Sequence, residues 1–136
     1  MTTNTSFVNP PLRIIDANIN RLKEGIRVVE DIARYENSNK ELASALKLLR
    51  HKAQIDIYKE LLISRDSVND VLRPTISSEM NRSSLEDILI ANYKRAQESS
   101  RVLEELFKVV RPEFSEIFKS IRYSLYQLEK ENLLNL

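Results

Sequence analysis

The sequence predicts an all-α protein, a helical bundle of two antiparallel helix pairs joined by a long crossover. Three observations predict it. Apolar residues recur at three- and four-residue spacing through most of the chain. One polar and apolar pattern is used twice: Ala17-Asn18, Arg21, Glu24, Arg27-Val28 and Glu30 recur 74 residues later as Ala91-Asn92, Arg95, Glu98, Arg101-Val102 and Glu104. Between the copies lies a polar stretch, 64–82, without helical periodicity. A repeat of this kind is the mark of one supersecondary unit used twice.

Residues 1–11 read as a flexible polar tail, with Pro10-Pro11 suited to the approach of a helix N-terminus. From Leu12 to about Tyr35, the side chains of Ile15, Leu22, Ile26, Val29 and Ala33 fall within roughly 60° of one another on a helical wheel. Asn37-Ser38-Asn39 ends that helix, and Ser38 with Glu41 spells a capping box for the next. The second helix is predicted to run to about Leu62, burying Leu42, Ala45, Leu46, Leu49, Ala53 and Ile57. Ser64 to Arg82 is predicted as a loop. Its length exceeds that of most loops in compact domains, and such loops are usually functional or disordered. Ser83 with Glu86 is a second capping box, opening a helix to about Val110. Arg111-Pro112-Glu113 interrupts it, and Pro112 suits the first position of a last helix. That helix carries Phe114, Ile117, Phe118, Ile121, Leu125 and Leu128 to about Asn132. Residues 12–136 are therefore expected to form one domain, with repeat halves at about 12–62 and 83–132. The second helices match loosely as well, since Leu46-Lys47-Leu48-Leu49-Arg50 resembles Phe118-Lys119-Ser120-Ile121-Arg122.

Composition narrows the function classes. Lys+Arg 21 against Asp+Glu 20 leaves a net charge of +1, which gives nucleic-acid binding no electrostatic footing. No segment approaches the ~18 apolar residues of a membrane span, and Met1 to Asn9 lacks the basic start and apolar core of a signal peptide. Cysteine is absent, so thiolate chemistry and disulfides are excluded. The expectation is a soluble cytoplasmic protein with no membrane or nucleic-acid partner. The only glycine, Gly25, lies inside a helical pattern, which excludes the glycine-rich loops that cradle phosphates and dinucleotides. Phosphate would have to be held by arginines and helix N-termini. The only histidine, His51, sits alone on a helix and reads as structural or solvated.

The repeated polar residues separate into two kinds. Arg21, Glu24, Arg27, Glu30 and Arg34 alternate in sign, and each step could be a surface ion pair worth ~0.2–0.5 kcal/mol. Asn18 and Asn92 do not fit that reading, because both fall inside the apolar stripe. An amide buried there without partners would cost about 1–3 kcal/mol. Arg21 and Glu24, like Arg95 and Glu98, border the same stripe. Two such edges facing one another would make an arginine-lined cleft with carboxylates at its margin. Arginine forks match phosphate oxygens and carboxylates can hold Mg²⁺. Gly25, matched by Ser99 in the second copy, reads first as a tight helix contact. The copies differ at Arg13 and Asp16, which correspond to Asp87 and Ile90, so one asymmetric site is expected rather than two equal ones. The loop adds Arg65-Asp66, Asp70, Arg73 and Arg82, either solvated or forming a lid.

The ordered set Arg13-Ile14-Ile15-Asp16-Ala17-Asn18, Arg21, Glu24-Gly25-Ile26-Arg27, Glu30 and Arg34-Tyr35 resembles the alternative hydroxymethylpyrimidine phosphate kinase family of thiamin biosynthesis. The likeness continues through Arg50, Arg65-Asp66-Ser67, Asp70, Arg82-Ser83-Ser84, Ala91-Asn92, Arg95, Glu98, Arg101-Val102-Leu103-Glu104-Glu105 and Arg122-Tyr123, covering about residues 12–130. That family occurs as a standalone protein and fused N-terminally to thiamin phosphate synthase. A chain ending at Leu136 is expected to be the standalone form.

The resemblance implies ATP-dependent phosphorylation of 4-amino-5-hydroxymethyl-2-methylpyrimidine phosphate to its diphosphate. On this reading Arg21, Arg95, Arg27 and Arg101 are candidate catalytic phosphate clamps. Asn18, Asn92, Arg13, Arg50, Arg65 and Arg82 are candidate substrate or phosphate ligands, and Asp16, Glu24, Asp66 and Asp70 are candidate Mg²⁺ contacts. ATP and Mg²⁺ are the expected co-substrate and metal, and a homodimer is a candidate assembly. Two rival classes remain open: a non-enzymatic helical interaction or dimerisation module, and a small all-α isomerase with an arginine-lined pocket for an anionic substrate.

Overall fold

The computed structural model describes residues 9–75 and 82–134, and these form five α-helices and no strand. The all-α class is as the sequence predicts. Residues 1–8 of the expected tail and 76–81 of the expected loop lie outside the described residues.

Helix α1 (Pro10–Asp31) begins two residues before the expected start at Leu12. Pro10 and Pro11 occupy first-turn positions, where an absent N–H breaks no helix bond, and the Asn9 side chain accepts a hydrogen bond from the Leu12 N–H. Beyond Asp31 the helix widens into a π-turn, Ile32–Glu36. Ser38 then takes a left-handed conformation with φ 49°. A residue turned that way cannot cap the helix that follows. The expected Ser38–Glu41 capping box is therefore not formed; Asn39 caps α2 (Lys40–Lys52) by accepting from the Leu42 N–H at 3.1 Å.

The single helix expected to reach Leu62 is broken. After α2 the chain turns at Ala53–Ile57 and starts again as α3 (Tyr58–Ser64). Apolar burial runs on through the break at Leu49, Ala53, Ile57 and Leu61, so the sequence period survives while the backbone does not. Asp56 and the β-branched Ile55 and Ile57 are weak helix formers, and the turn re-aims α3 across the start of α1.

Helix α4 (Leu85–Val110) is capped one residue later than expected. Ser84 Oγ accepts from the Asp87 N–H, while the Asp87 carboxylate reaches back to the N–H and hydroxyl of Ser83. A 3₁₀ turn at Pro112–Phe114 leads into α5 (Ser115–Leu134).

Helix α1 packs between α4 on one side and α2 with α3 on the other, and α5 packs on α4. Contacts between Arg111 and Glu60, and between Asn9 and Ser64, bring the end of α4 and the start of α1 to the same side of α3. The two long helices therefore run antiparallel. Leu22, Ile26, Leu46, Tyr93, Leu103 and Phe118 are among the side chains buried between the helices, with Phe107 stacked on Phe118 at 5.2 Å and edge-on to Phe114 at 5.5 Å.

Gly25 lies where α1 and α4 come closest. A Cβ there would stand 3.1 Å from the Asn92 carbonyl oxygen and 3.5 Å from the Ala96 side chain. The lone glycine is a packing residue.

Two buried ion pairs fasten the outer helices to the central pair. Arg50 on α2 donates through Nε and Nη2 to the Glu30 carboxylate on α1, at 2.7 and 3.2 Å. Arg122 on α5 donates through Nη2 to Glu104 on α4 at 2.8 Å. Glu30 therefore does not take the surface pairing that its spacing left open. Its side chain is 2% exposed, and Arg27 takes the surface pairing with Asp31 instead.

Candidate functional site

The first half of α1 and the base of the crossover segment line an open cavity of about 600 Å³. Its chemical character comes from Arg13, Asp16, Asn18, Arg21 and Glu24 on the helix and Arg65, Asp66 and Asp70 on the segment. All eight are among the residues picked out from sequence. Helical spacing groups Arg13, Arg21 and Glu24 within about 80° of one another, with Asp16 and Asn18 at the two edges of the wall, and the bend after Ser64 returns the chain over them.

The segment is tied down by specific bonds rather than by apolar contact. Arg65 donates to both oxygens of Asp16, each at 2.8 Å. The Asp16 hydrogen bonds hold the Arg65 guanidinium pKa above its ordinary value. Asn20 adds a longer bond to Asp16 at 3.4 Å. Arg13 donates to the Asp66 main-chain carbonyl at 2.7 Å. Asp66 in turn accepts from the Asn69 side-chain and backbone N–H groups, bonds that hold its carboxyl below its ordinary value.

These contacts sort the candidates. Asp16, chosen from sequence as a metal contact, has both oxygens engaged by Arg65 and works as its anchor. Asn18 spends its amide N–H on the Ile14 carbonyl four residues back, at 2.9 Å. Its amide oxygen, with no hydrogen-bond partner among the described residues, belongs to a side chain lining the cavity. The buried amide therefore both satisfies a helix carbonyl and presents an acceptor. Arg21 is exposed and has no ion pair among the described residues. It is the cavity's uncommitted cation. Asn20, Ser67, Asn69 and Val71 also line the cavity and were not selected from sequence. The spacing of Asn20 four residues after Asp16, and the Asn69-Asp70 turn signal, were the available clues.

The other candidates lie elsewhere. The expected cleft between the two copies of the motif is not formed within the chain, because no α4 residue lines this cavity among the described residues. Asn92 repeats the bond of Asn18, donating to Ile88 O at 2.8 Å, but its own carbonyl packs on Gly25. Arg95 stands exposed on α4. Arg27 and Arg101 are in surface ion pairs, with Asp31 and with Glu104 and Glu105 respectively. Arg50 is committed to buried Glu30. Arg82 is exposed just ahead of α4, outside the cavity lining. A larger cavity of about 660 Å³ lies at the opposite end of the bundle, but among the described residues Glu41, Glu86 and Glu131 line it with no arginine or lysine, which disfavours an anion there.

A sequence model of the ThiD2 family matches residues 13–131. The chain belongs to the ThiD2 family. Curated relatives carry the same stretch within longer proteins. The chain is 36% identical over 121 residues to the thiamine-phosphate synthase of Nostoc sp., the match covering 86% of the chain and 34% of that protein. It is 40% identical over 118 residues to the thiamine-phosphate synthase of Synechocystis sp., at 86% and 34% coverage. With that of Rhodopirellula baltica it shares 36% identity over 125 residues, covering 88% of the chain and 33% of the relative. The chain thus spans about a third of the length of the curated relatives it matches. No solved structure matches it significantly. The family match begins at Arg13, the first cavity residue on α1, and takes in every residue of the cavity wall.

Proposed function

We propose that this ThiD2-family chain phosphorylates 4-amino-5-hydroxymethyl-2-methylpyrimidine phosphate, using ATP, to give the diphosphate. The relatives' name, thiamine-phosphate synthase, supports the coarser reading of a role in thiamin biosynthesis. The observation that carries the kinase reading is the convergence of Arg13, Arg21 and Arg65 with Glu24, Asp66 and Asp70 around one cavity large enough for a small phosphorylated heterocycle.

Two anionic reactants must meet in this reaction, so charge neutralisation and alignment are the main demands on the protein. Arg21, with no carboxylate partner among the described residues, meets phosphate oxygens. Arg65, locked by Asp16, and Arg13, locked by the Asp66 carbonyl, hold the crossover segment in place as a preset wall. The Asn18 amide oxygen accepts from the 4-amino group of the pyrimidine. The attacking phosphate oxygen is ionised near neutral pH, so no general base is required, and the absence of a histidine from the cavity lining is no obstacle.

Among the described residues, no three His, Cys, Asp or Glu side chains gather into a ready-made metal cage. Mg²⁺ on a nucleotide usually takes one or two carboxylates and completes its shell with phosphates and water, and Glu24 and Asp70 fit that role. When bound it supplies neutralisation of the transferred phosphoryl group.

The test is direct. Purified protein with ATP, Mg²⁺ and the pyrimidine monophosphate should yield the diphosphate, measured by chromatography. Arg21→Ala should lower kcat/KM at least about tenfold. No diphosphate from the wild-type chain would remove the function, and unchanged kinetics in the variant would remove Arg21 from the site.

A further inference from the structure

The outward face of α1 and α4 carries a repeated column that no other helix covers among the described residues. Ile14, Arg21 and Val28 stand seven residues apart on α1, and Ile88, Arg95 and Val102 match them on α4. Ala17 with Glu24, and Ala91 with Glu98, flank those columns. Ile14 and Val28 are 43% and 36% exposed, large apolar side chains at the two ends of a polar centre. A seven-residue recurrence is the seam that helices use to pack on other helices. At its centre, the side chains of Arg21, Glu24, Arg95 and Glu98 have no hydrogen bond or ion pair among the described residues. Nearby Arg27, Glu30, Arg101 and Glu104 are all paired.

We propose that this face is where two copies of the chain meet, and that Arg95 of the second copy completes the cavity on α1. Charge sets the register. Because α1 and α4 are antiparallel and Gly25 lies against Asn92 and Ala96, Arg21 is level with Glu98, and Glu24 with Arg95. A two-fold axis parallel to the helices lays α1 of one copy on α4 of the other without changing those heights. Arg21 then faces Glu98 of the second copy, and Glu24 faces its Arg95. A parallel stacking would put arginine on arginine.

The crossover segment walls α1 and not α4 among the described residues. Stacking α1 on a second α1 would bring two such segments together, whereas α1 on α4 keeps them apart. Ile14, Ala17, Arg21 and Glu24 belong both to this face and to the cavity lining, so the second copy's α4 closes the cavity. The result is a checkerboard of arginines for phosphate oxygens and carboxylates for a divalent cation. The proposal rests on the anion-site reading above, and it explains why the polar set is present twice although only one copy lines the cavity within the chain.

Sedimentation velocity on the full chain tests the interface without reference to activity. The 15.9 kDa chain should sediment as a dimer. Arg95→Glu, which sets like charges against each other, should weaken self-association about tenfold or more with helicity by circular dichroism unchanged. Adding Glu24→Arg to the same chain should restore the dimer. A wild-type chain that is monomeric at every concentration, an Arg95→Glu chain as dimeric as wild type, or a double variant that stays monomeric overturns the interface or its pairing. The shared site is tested by mixing Arg21→Ala with Arg95→Ala. Each mixed dimer has one intact cavity, so random exchange should return about a quarter of the wild-type rate. No recovery in a mixture shown to contain mixed dimers overturns the shared site. If the wild-type chain makes no diphosphate, the kinase reading fails alone and sedimentation still decides the interface.

Discussion

A methyl group at Gly25 would meet the Asn92 carbonyl oxygen at 3.1 Å, and that oxygen belongs to the backbone of a packed helix. Replacing a helical glycine with alanine gains ~0.5–1 kcal/mol in propensity, but forcing two helices apart costs ~1–3 kcal/mol. Gly25→Ala should therefore destabilise the chain by about 1 kcal/mol, read as a lower urea midpoint with an unchanged m-value. At the cavity the balance is reversed. Arg21 has no partner among the described residues to lose, so the Arg21→Ala variant proposed to lower turnover should keep its stability within about 0.5 kcal/mol. Asn18 shows what sequence can and cannot see at this scale. Its place inside the apolar stripe marked it as an amide needing a partner. That the partner is the Ile14 carbonyl, with the oxygen left over among the described residues, follows only from the folded structure.

Between elements, polar bonds as well as apolar packing position the chain. The Glu30–Arg50 and Glu104–Arg122 pairs fasten α2 to α1 and α5 to α4. Removing one member of a buried pair strands the other charge, so Arg50→Ala should cost about 3 kcal/mol, whereas Arg27→Ala on the surface should cost under ~1 kcal/mol. Both glutamates also impose a pH dependence. Burial alone would raise their pKa values, but the hydrogen bonds and charges of their arginines outweigh it and leave both below 4.5. A carboxylate lowered on folding contributes fully above its unfolded value, and the contribution is lost as pH falls through the folded one. Unfolding free energy should thus hold steady down to about pH 5 and drop below 4.5, with a shallower drop in Glu30→Gln/Glu104→Gln, measured by urea titration across pH. The crossover segment depends on Arg65 in the same way. Arg65→Ala should leave the helices folded while exposing 66–73 to limited proteolysis several-fold faster, because little else ties that stretch to α1.

At the scale of the whole molecule, a ligand that binds only the folded chain should stabilise it. ATP with Mg²⁺, or the pyrimidine monophosphate, at about 100 times its dissociation constant should add ~2.7 kcal/mol, a rise of several degrees in Tm by thermal shift. A dicarboxylate such as chorismate should not. A shift with chorismate alone would favour the isomerase class, and none with any ligand would favour the interaction module.

The sequence by itself determined the helical class, the approximate helix spans and the polar residues for which packing gives no reason. Spacing along one helix is a local property, so Arg21 and Glu24 could be placed beside Asn18 at the edge of the apolar stripe of α1 before any tertiary contact was known. Only the tertiary structure decided what that side faces. The break at Ala53–Ile57 swings α3 across the start of α1 and returns Arg65, Asp66 and Asp70 to it. The close approach at Gly25 leaves Arg95 on the outward face of α4 instead. Partners distant in sequence are chosen by how helices cross, and crossing geometry is a sum over many packed side chains that no single motif records.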